Sequence, residues 1–145
     1  MERKKKAVRR RIVCLTSPKE GAEKTAAALD LAREWADAQV RGVVIVHLDP
    51  LCRNDVSPQL GITPPTFADL VRLGERVARG GPRAVVPLSE GGVGWLPMAA
   101  DPGQAARVSP AAARRALSRL AAAYDLVLDV AASSPLRRLA LQMAG

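Results

Sequence analysis

An apolar run, Ile12-Val13-Cys14-Leu15-Thr16, leads into nine small and charged residues, Ser17-Pro18-Lys19-Glu20-Gly21-Ala22-Glu23-Lys24-Thr25. After them Ala28, Leu31, Ala32 and Trp35 recur at i, i+3, i+4 and i+7. This is the single apolar stripe of a helix that lies against a sheet. A strand, a loop and such a helix in this order constrain the chain more than any other feature, because the stripe needs a sheet to cover it. The pattern repeats downstream. The spacing predicts strands at about 11–16, 42–48 and 125–130 and a first helix from Thr25 to about Ala38. The 42–48 segment is apolar almost throughout, as a strand covered on both faces is. The expected class is α/β: a mostly parallel sheet between two helical layers.

The remaining elements follow from local signals. Residues 49–65 carry Pro50, Pro58, Gly61, Pro64 and Pro65 and are expected to be irregular. Thr66 with Asp69 three residues on reads as a capping box. It opens a second helix that turns Phe67, Leu70, Val71 and Val77 inward and ends at Gly80-Gly81-Pro82. Residues 84–88 and 93–97 flank Glu90-Gly91-Gly92 and are expected to form a hairpin. Ser109-Pro110 starts a third helix that runs to about Ala123 and packs Leu117 and Leu120. Ser134-Pro135 opens a last one to about Met143, expected to pack on the sheet.

Composition narrows the function. At 145 residues and 48% hydrophobic, the chain can bury a core and is not a disordered segment. No apolar run has the length of a membrane-spanning helix. Cys14 and Cys52 make neither a disulfide framework nor a metal cluster, and the expected location is the cytoplasm. Of the net charge of +8, residues 1–11 supply seven Lys/Arg against one acid, Glu2. The rest of the chain carries 15 basic and 13 acidic side chains. The positive charge is therefore expected in a short tail, a disordered basic segment at 1–10, rather than on a face of the domain at 11–145. Such a tail is either a solvated start or a salt-dependent hold, through residues 3–11, on DNA or anionic membrane. It contains no aromatic residue, so base stacking is not expected and any nucleic-acid binding is nonspecific.

The nine-residue run has the context of a phosphate-binding loop. In such a loop backbone N–H groups converge on phosphate, a lysine meets the outer phosphates and a Ser/Thr hydroxyl meets Mg²⁺. Lys24 and Thr25 stand in those two places. Glutamates at 20 and 23 stand where the backbone has to come closest to the anion. Glycine is used there because it reaches positive φ. Two like charges about 4 Å apart at an effective dielectric near 20 repel by about 4 kcal/mol. The expectation is that Glu20 or Glu23 pairs with Lys24 or Lys19 and fills the loop.

The segment resembles the deviant Walker A motif of the ParA/MinD ATPases, Lys-Gly-Gly-x-Gly-Lys-Thr, a family that includes the CpaE/TadZ pilus-localisation proteins. Lys19 matches the signature lysine that acts across a dimer interface, Gly21 the second glycine, Lys24 the P-loop lysine and Thr25 the Mg²⁺ ligand. The likeness spans roughly residues 11–140. Val43-Val44-Ile45-Val46-His47-Leu48-Asp49-Pro50 is similar to the family's second strand, which ends Asp-x-Asp-Pro. His47 takes the place of the first acid and Asp49 matches the second. Tyr124-Asp125-Leu126-Val127-Leu128-Asp129 resembles the Walker B strand, with one residue fewer between its aspartates. A slip of one turns a strand side chain to the other face, so Asp129 is expected to point away from a Mg²⁺ shell.

The resemblance implies a three-layer P-loop NTPase-like fold, incomplete at its C-terminal end, with the nucleotide contacts on Lys19, Gly21, Lys24 and Thr25. It implies Mg²⁺ on Thr25 and Asp49, and Lys19 and Asp49 as the catalytic pair if the chain is active. The cofactors implied are ATP and Mg²⁺, if any. With two glutamates in the loop and His47 for an acid, the function read from the residues is a degenerate relative with weak or absent ATP hydrolysis. Such a protein would act in localisation or assembly through protein partners or as a weak homodimer. An active Mg-ATP-dependent ATPase and a nonspecific nucleic-acid-binding accessory protein are the alternatives.

Overall fold

The computed structural model describes residues 11–16, 22–38, 41–53, 55–74 and 86–144. The basic tail, Lys19, Glu20, Gly21 and Val77 lie outside these, as does the side chain of Glu23. Four strands form one sheet: β1 Ile12–Leu15, β2 Val43–Leu48, β3 Val93–Leu96 and β4 Asp125–Val130. Their order is β1-β4-β2-β3 and every pairing is parallel. The helices are α1 Ala22–Ala38, α2 Ser57–Leu60, α3 Phe67–Leu73, α4 Pro102–Ala106, α5 Pro110–Ala121 and α6 Arg137–Met143.

The sheet divides the core in two. On one face α1 lays Ala28, Leu29 and Ala32 on Val43, Ile45, Trp95 and Val127, with Leu31 and Trp35 half-buried at the edge. On the other face Phe67 and Leu70 of α3, Leu117 and Leu120 of α5 and Leu139 of α6 cover Val44, Val46, Leu126 and Leu128. All residues of β2 and β4 are buried. This is the expected three-layer α/β architecture, and α6 packs on the sheet as expected.

Several boundaries differ from the sequence reading, each for a local reason. Helix α1 starts at Ala22, so Thr25 lies within its first turn rather than at its start. The proline-rich stretch contains α2, because Pro58 sits at the helix start, where a missing N–H costs nothing. The Thr66–Asp69 capping box forms, with both reciprocal bonds at 3.1 Å. Its helix stops at Leu73, where Gly74 takes φ 53° and donates to the Leu70 carbonyl. The helix α4 went unforeseen, although Asp101 caps it with the side chain before a proline, as Ser109 caps α5. The expected hairpin does not form among the described residues. Residues 86–92 lead into β3 through a turn in which Ser89 N–H donates to the Val93 carbonyl and Gly92 N–H to that of Ser89. Strand β3 instead pairs in parallel with β2, where Trp95 buries in the α1 layer and Leu96 in the opposite one.

Gly94 lets two backbone segments approach closely on this edge. A Cβ there would stand 2.9 Å from Leu88 Cδ2, 3.1 Å from the Pro87 carbonyl oxygen and 3.3 Å from Val44 Cγ2. Gly94→Ala is expected to cost about 1–3 kcal/mol of stability, since the backbone oxygen has nowhere to go. An unchanged denaturation midpoint would contradict this packing.

Candidate functional site

The carboxyl ends of parallel strands are where open α/β sheets bind ligands. Here the ends of β4 and β2 lie under the first turn of α1. The register pairs His47 with Asp129, so these two side chains leave neighbouring strands on the same face. That face is the one covered by α1. Asp129 Oδ2 accepts a hydrogen bond from Thr25 Oγ1 at 2.9 Å and lies 2.9 Å from His47 Nδ1. Lys24 Nζ donates to the Val130 carbonyl and stands 3.6 Å from Asp129 Oδ1. Asp129 and His47 are buried, and so is Thr25.

Asp129 therefore corrects the sequence reading. Counting from Tyr124-Asp125 and the family's spacing turned it away from the phosphate site. The strand register decides otherwise: Val127 and Asp129 share the α1 face, while Leu126, Leu128 and Val130 face the other layer. Lys24 also meets an acid that the sequence reading does not pair it with, and the expected pairing with Glu20 or Glu23 lies outside the described residues. Its partner among the described residues is Asp129.

His47 is held by stacking on Trp95, with centroids 4.9 Å apart and planes 26° from parallel. Its Nδ1 faces Asp129, and its buried Nε2 has no hydrogen-bond partner among the described residues. That nitrogen points toward Asp49 Oδ2 at 3.6 Å. Asp49 is saturated from the other side. Its oxygens accept from the Leu51 and Arg53 backbone N–H groups at 2.9 and 3.0 Å and from the Arg53 guanidinium at 3.0 and 3.2 Å.

Both acids stay ionised. Burial pushes the Asp129 carboxyl up, but the His47 hydrogen bond and charge, the Thr25 hydroxyl and the Lys24 ammonium hold it below the ordinary aspartate value. Burial also pushes Asp49 up, and Arg53 with the two backbone donors brings it below that value. Asp125, at the far end of β4, is buried and meets the Arg11 N–H at 3.4 Å and the Arg41 guanidinium at 4.0 Å.

The oxygen donors suit one cofactor chemistry. Mg²⁺ takes hard oxygen ligands, one or two from the protein and the rest from phosphate and water. Thr25 Oγ1 and the Asp129 carboxylate, whose buried Oδ1 lacks a hydrogen-bond partner among the described residues, fit that demand. Lys24 fits the outer phosphates. No group of three His, Cys, Asp or Glu side chains among the described residues makes an all-protein metal site.

An all-parallel sheet with a lysine and a threonine opening the helix after the first strand, over an aspartate on a neighbouring strand, is the layout of a P-loop NTPase. Comparison with solved structures gives the same class. The chain matches the crystal structure of a ParA family ATPase from Chlorobium tepidum TLS with a TM-score of 0.79 and 19% identity, over 93% of this chain and 57% of that one. It matches cobyrinic acid a,c-diamide synthase from Mycobacterium smegmatis with a TM-score of 0.66 and 23% identity, over 92% of this chain. That enzyme was solved with an ATP analog and magnesium and with ADP and magnesium. The fold is thus that of the ParA-like P-loop NTPases, and this chain spans just over half the length of the structures it matches. Neither a family model nor a curated protein matches the sequence. Among the described residues no helix is long and apolar enough to cross a membrane.

Proposed function

We propose that this chain is a ParA/MinD/CpaE-like P-loop protein that works in localisation or assembly through protein contacts, with little or no ATP hydrolysis. One observation carries the reading: the groups that would meet Mg-phosphate are engaged with one another. Lys24 is bonded to the Val130 carbonyl, and Thr25 and His47 both meet Asp129 Oδ2. A nucleotide would have to draw Lys24 off that carbonyl before the lysine could meet its phosphates. The hydrolytic end of β2 is weaker still, because a histidine replaces the first acid and Arg53 consumes the second. When bound, Mg²⁺ would neutralise phosphate charge between Thr25 and Asp129, and Lys24 would orient the outer phosphates. Lys19 and Gly21 keep, as part of this proposal, the loop roles their positions imply, and the cytoplasm is its proposed setting.

A second reading, an active Mg-ATP-dependent ATPase, is favoured by the placement of Thr25 against Asp129. One pair of measurements separates the two. Titration calorimetry with Mg-ATP is expected to show no binding at micromolar nucleotide, and phosphate release is expected to stay at background. Micromolar binding with a turnover abolished by Lys24→Ala would establish the ATPase instead.

A further inference from the structure

The surface from Arg107 onward contradicts the expectation that the positive charge is confined to the tail. From Arg107 to the end of α6 the sequence holds six arginines and two acids, Asp125 and Asp129. Both acids are buried in β4. Arg107, Arg114, Arg115, Arg137 and Arg138 are exposed. The outward charge of this region is therefore positive without an exposed acid of its own. The acid of the neighbouring α3, Asp69, is held by Arg72 at 2.7 Å.

Three of these arginines border a groove. A cleft of about 240 Å³ between α5 and α6 is lined by Ala111, Arg114, Pro135, Arg138, Leu139 and Gln142. It adjoins a wider one of about 550 Å³ along α6, where Arg137 and Leu141 join the shared Pro135, Arg138 and Gln142. Gln142 Oε1 accepts from Arg114 Nη2 at 3.0 Å, which fixes that guanidinium across the cleft. Leu141 is 51% exposed, one of three large apolar side chains standing out from the described surface.

We infer that the α5–α6 groove docks an acidic peptide segment of a partner protein, one that also carries aliphatic side chains. Charge complementarity selects carboxylates, which guanidinium groups pair with in two-pronged fashion. The apolar floor and Leu141 select the aliphatic side chains, as the buried centre of a protein interface does. Nucleic acid fits less well. The groove offers no aromatic residue for base stacking, and phosphodiester contacts would leave Leu141 and the floor in water. A membrane fits less well too: α6 spends Leu139 and Ala140 on the core, and one remaining leucine on a seven-residue helix anchors weakly.

The inference names a partner class for the assembly role proposed above and rests on that role for its meaning, but the binding does not involve nucleotide. Its test uses the full chain without ATP and a fluorescent peptide of alternating glutamate and leucine, read by anisotropy. The peptide is expected to bind, and more tightly than polyglutamate. Arg114→Gln with Arg138→Gln is expected to weaken it about tenfold or more, and Leu141→Ser less. Circular dichroism checks that these surface variants keep their fold. Absence of binding, polyglutamate binding as tight as the mixed peptide, or binding that ignores the arginine changes and vanishes on removal of residues 1–10 overturns the inference. So does tighter binding of duplex DNA or phosphatidylserine vesicles through the same arginines. Phosphate release by the chain would sink the non-hydrolysing reading and leave this one standing.

Discussion

Asp129→Ala is expected to lower the unfolding free energy by about 3–5 kcal/mol, the range for removing one partner of a buried charged group. The carboxylate has no exposure and gathers three partners: Thr25, His47 and Lys24. Truncation leaves the Lys24 ammonium, itself with only 9% of its side chain exposed, without its counter-charge among the described residues. It also strands the His47 Nδ1 on a ring whose other nitrogen already has no hydrogen-bond partner among the described residues. Chemical denaturation measures the loss, and a change below about 1 kcal/mol would mean that the network adds nothing net. Acid makes the same point without mutation. Asp129 and Asp49 both titrate below the ordinary aspartate value of 3.8 in the folded chain. Their contribution is complete above that value and is lost as pH falls below it through the folded pKa. The wild-type chain is expected to lose stability below about pH 4 more steeply than Asp129→Ala does.

Trp95→Ala is expected to be as costly, about 3–5 kcal/mol, through the cavity it leaves. Trp95 is fully buried on β3 between α1 and the strand ends and is the platform on which His47 stacks. Without it the imidazole loses the surface that holds it against Asp129. Trp95→Phe keeps an aromatic face and removes a buried indole N–H that has no hydrogen-bond partner among the described residues. It is expected to recover most of the loss, because an unsatisfied donor disappears with the volume. Equal damage from alanine and phenylalanine in a thermal melt would rule out stacking as the role of this side chain.

The elements that could be read in advance carry their signal locally. The stripe of α1, the apolar runs of β2 and β4, the Thr66–Asp69 box and the Ser109-Pro110 start each lie within a few residues of what they specify. The misreadings have another origin. Val93–Leu96 looks the same whether it closes a hairpin or adds a parallel edge, and the choice is made by β2, more than 40 residues earlier in the chain. Helix α4 was overlooked because five residues are too few to show a period, although its cap was legible.

The site divides in the same way. Lys24 and Thr25 were legible because a loop between a strand and a helix restricts which side chains can meet phosphate. Asp49 was legible as a strand-end acid, but not its capture by Arg53, which depends on how the chain turns after Pro50. Taken alone, the order of residues settled that this chain builds a parallel sheet with helices on both sides and a lysine–threonine pair at the mouth of the first helix. It did so because period and capping are properties of neighbours along the chain. Which acid that pair meets, what holds His47 in place and where the arginines of α5 and α6 converge were decided only on folding. Those contacts join residues as far apart as Thr25 and Asp129, 104 positions along the chain, and strand register and helix placement have no counterpart in local spacing.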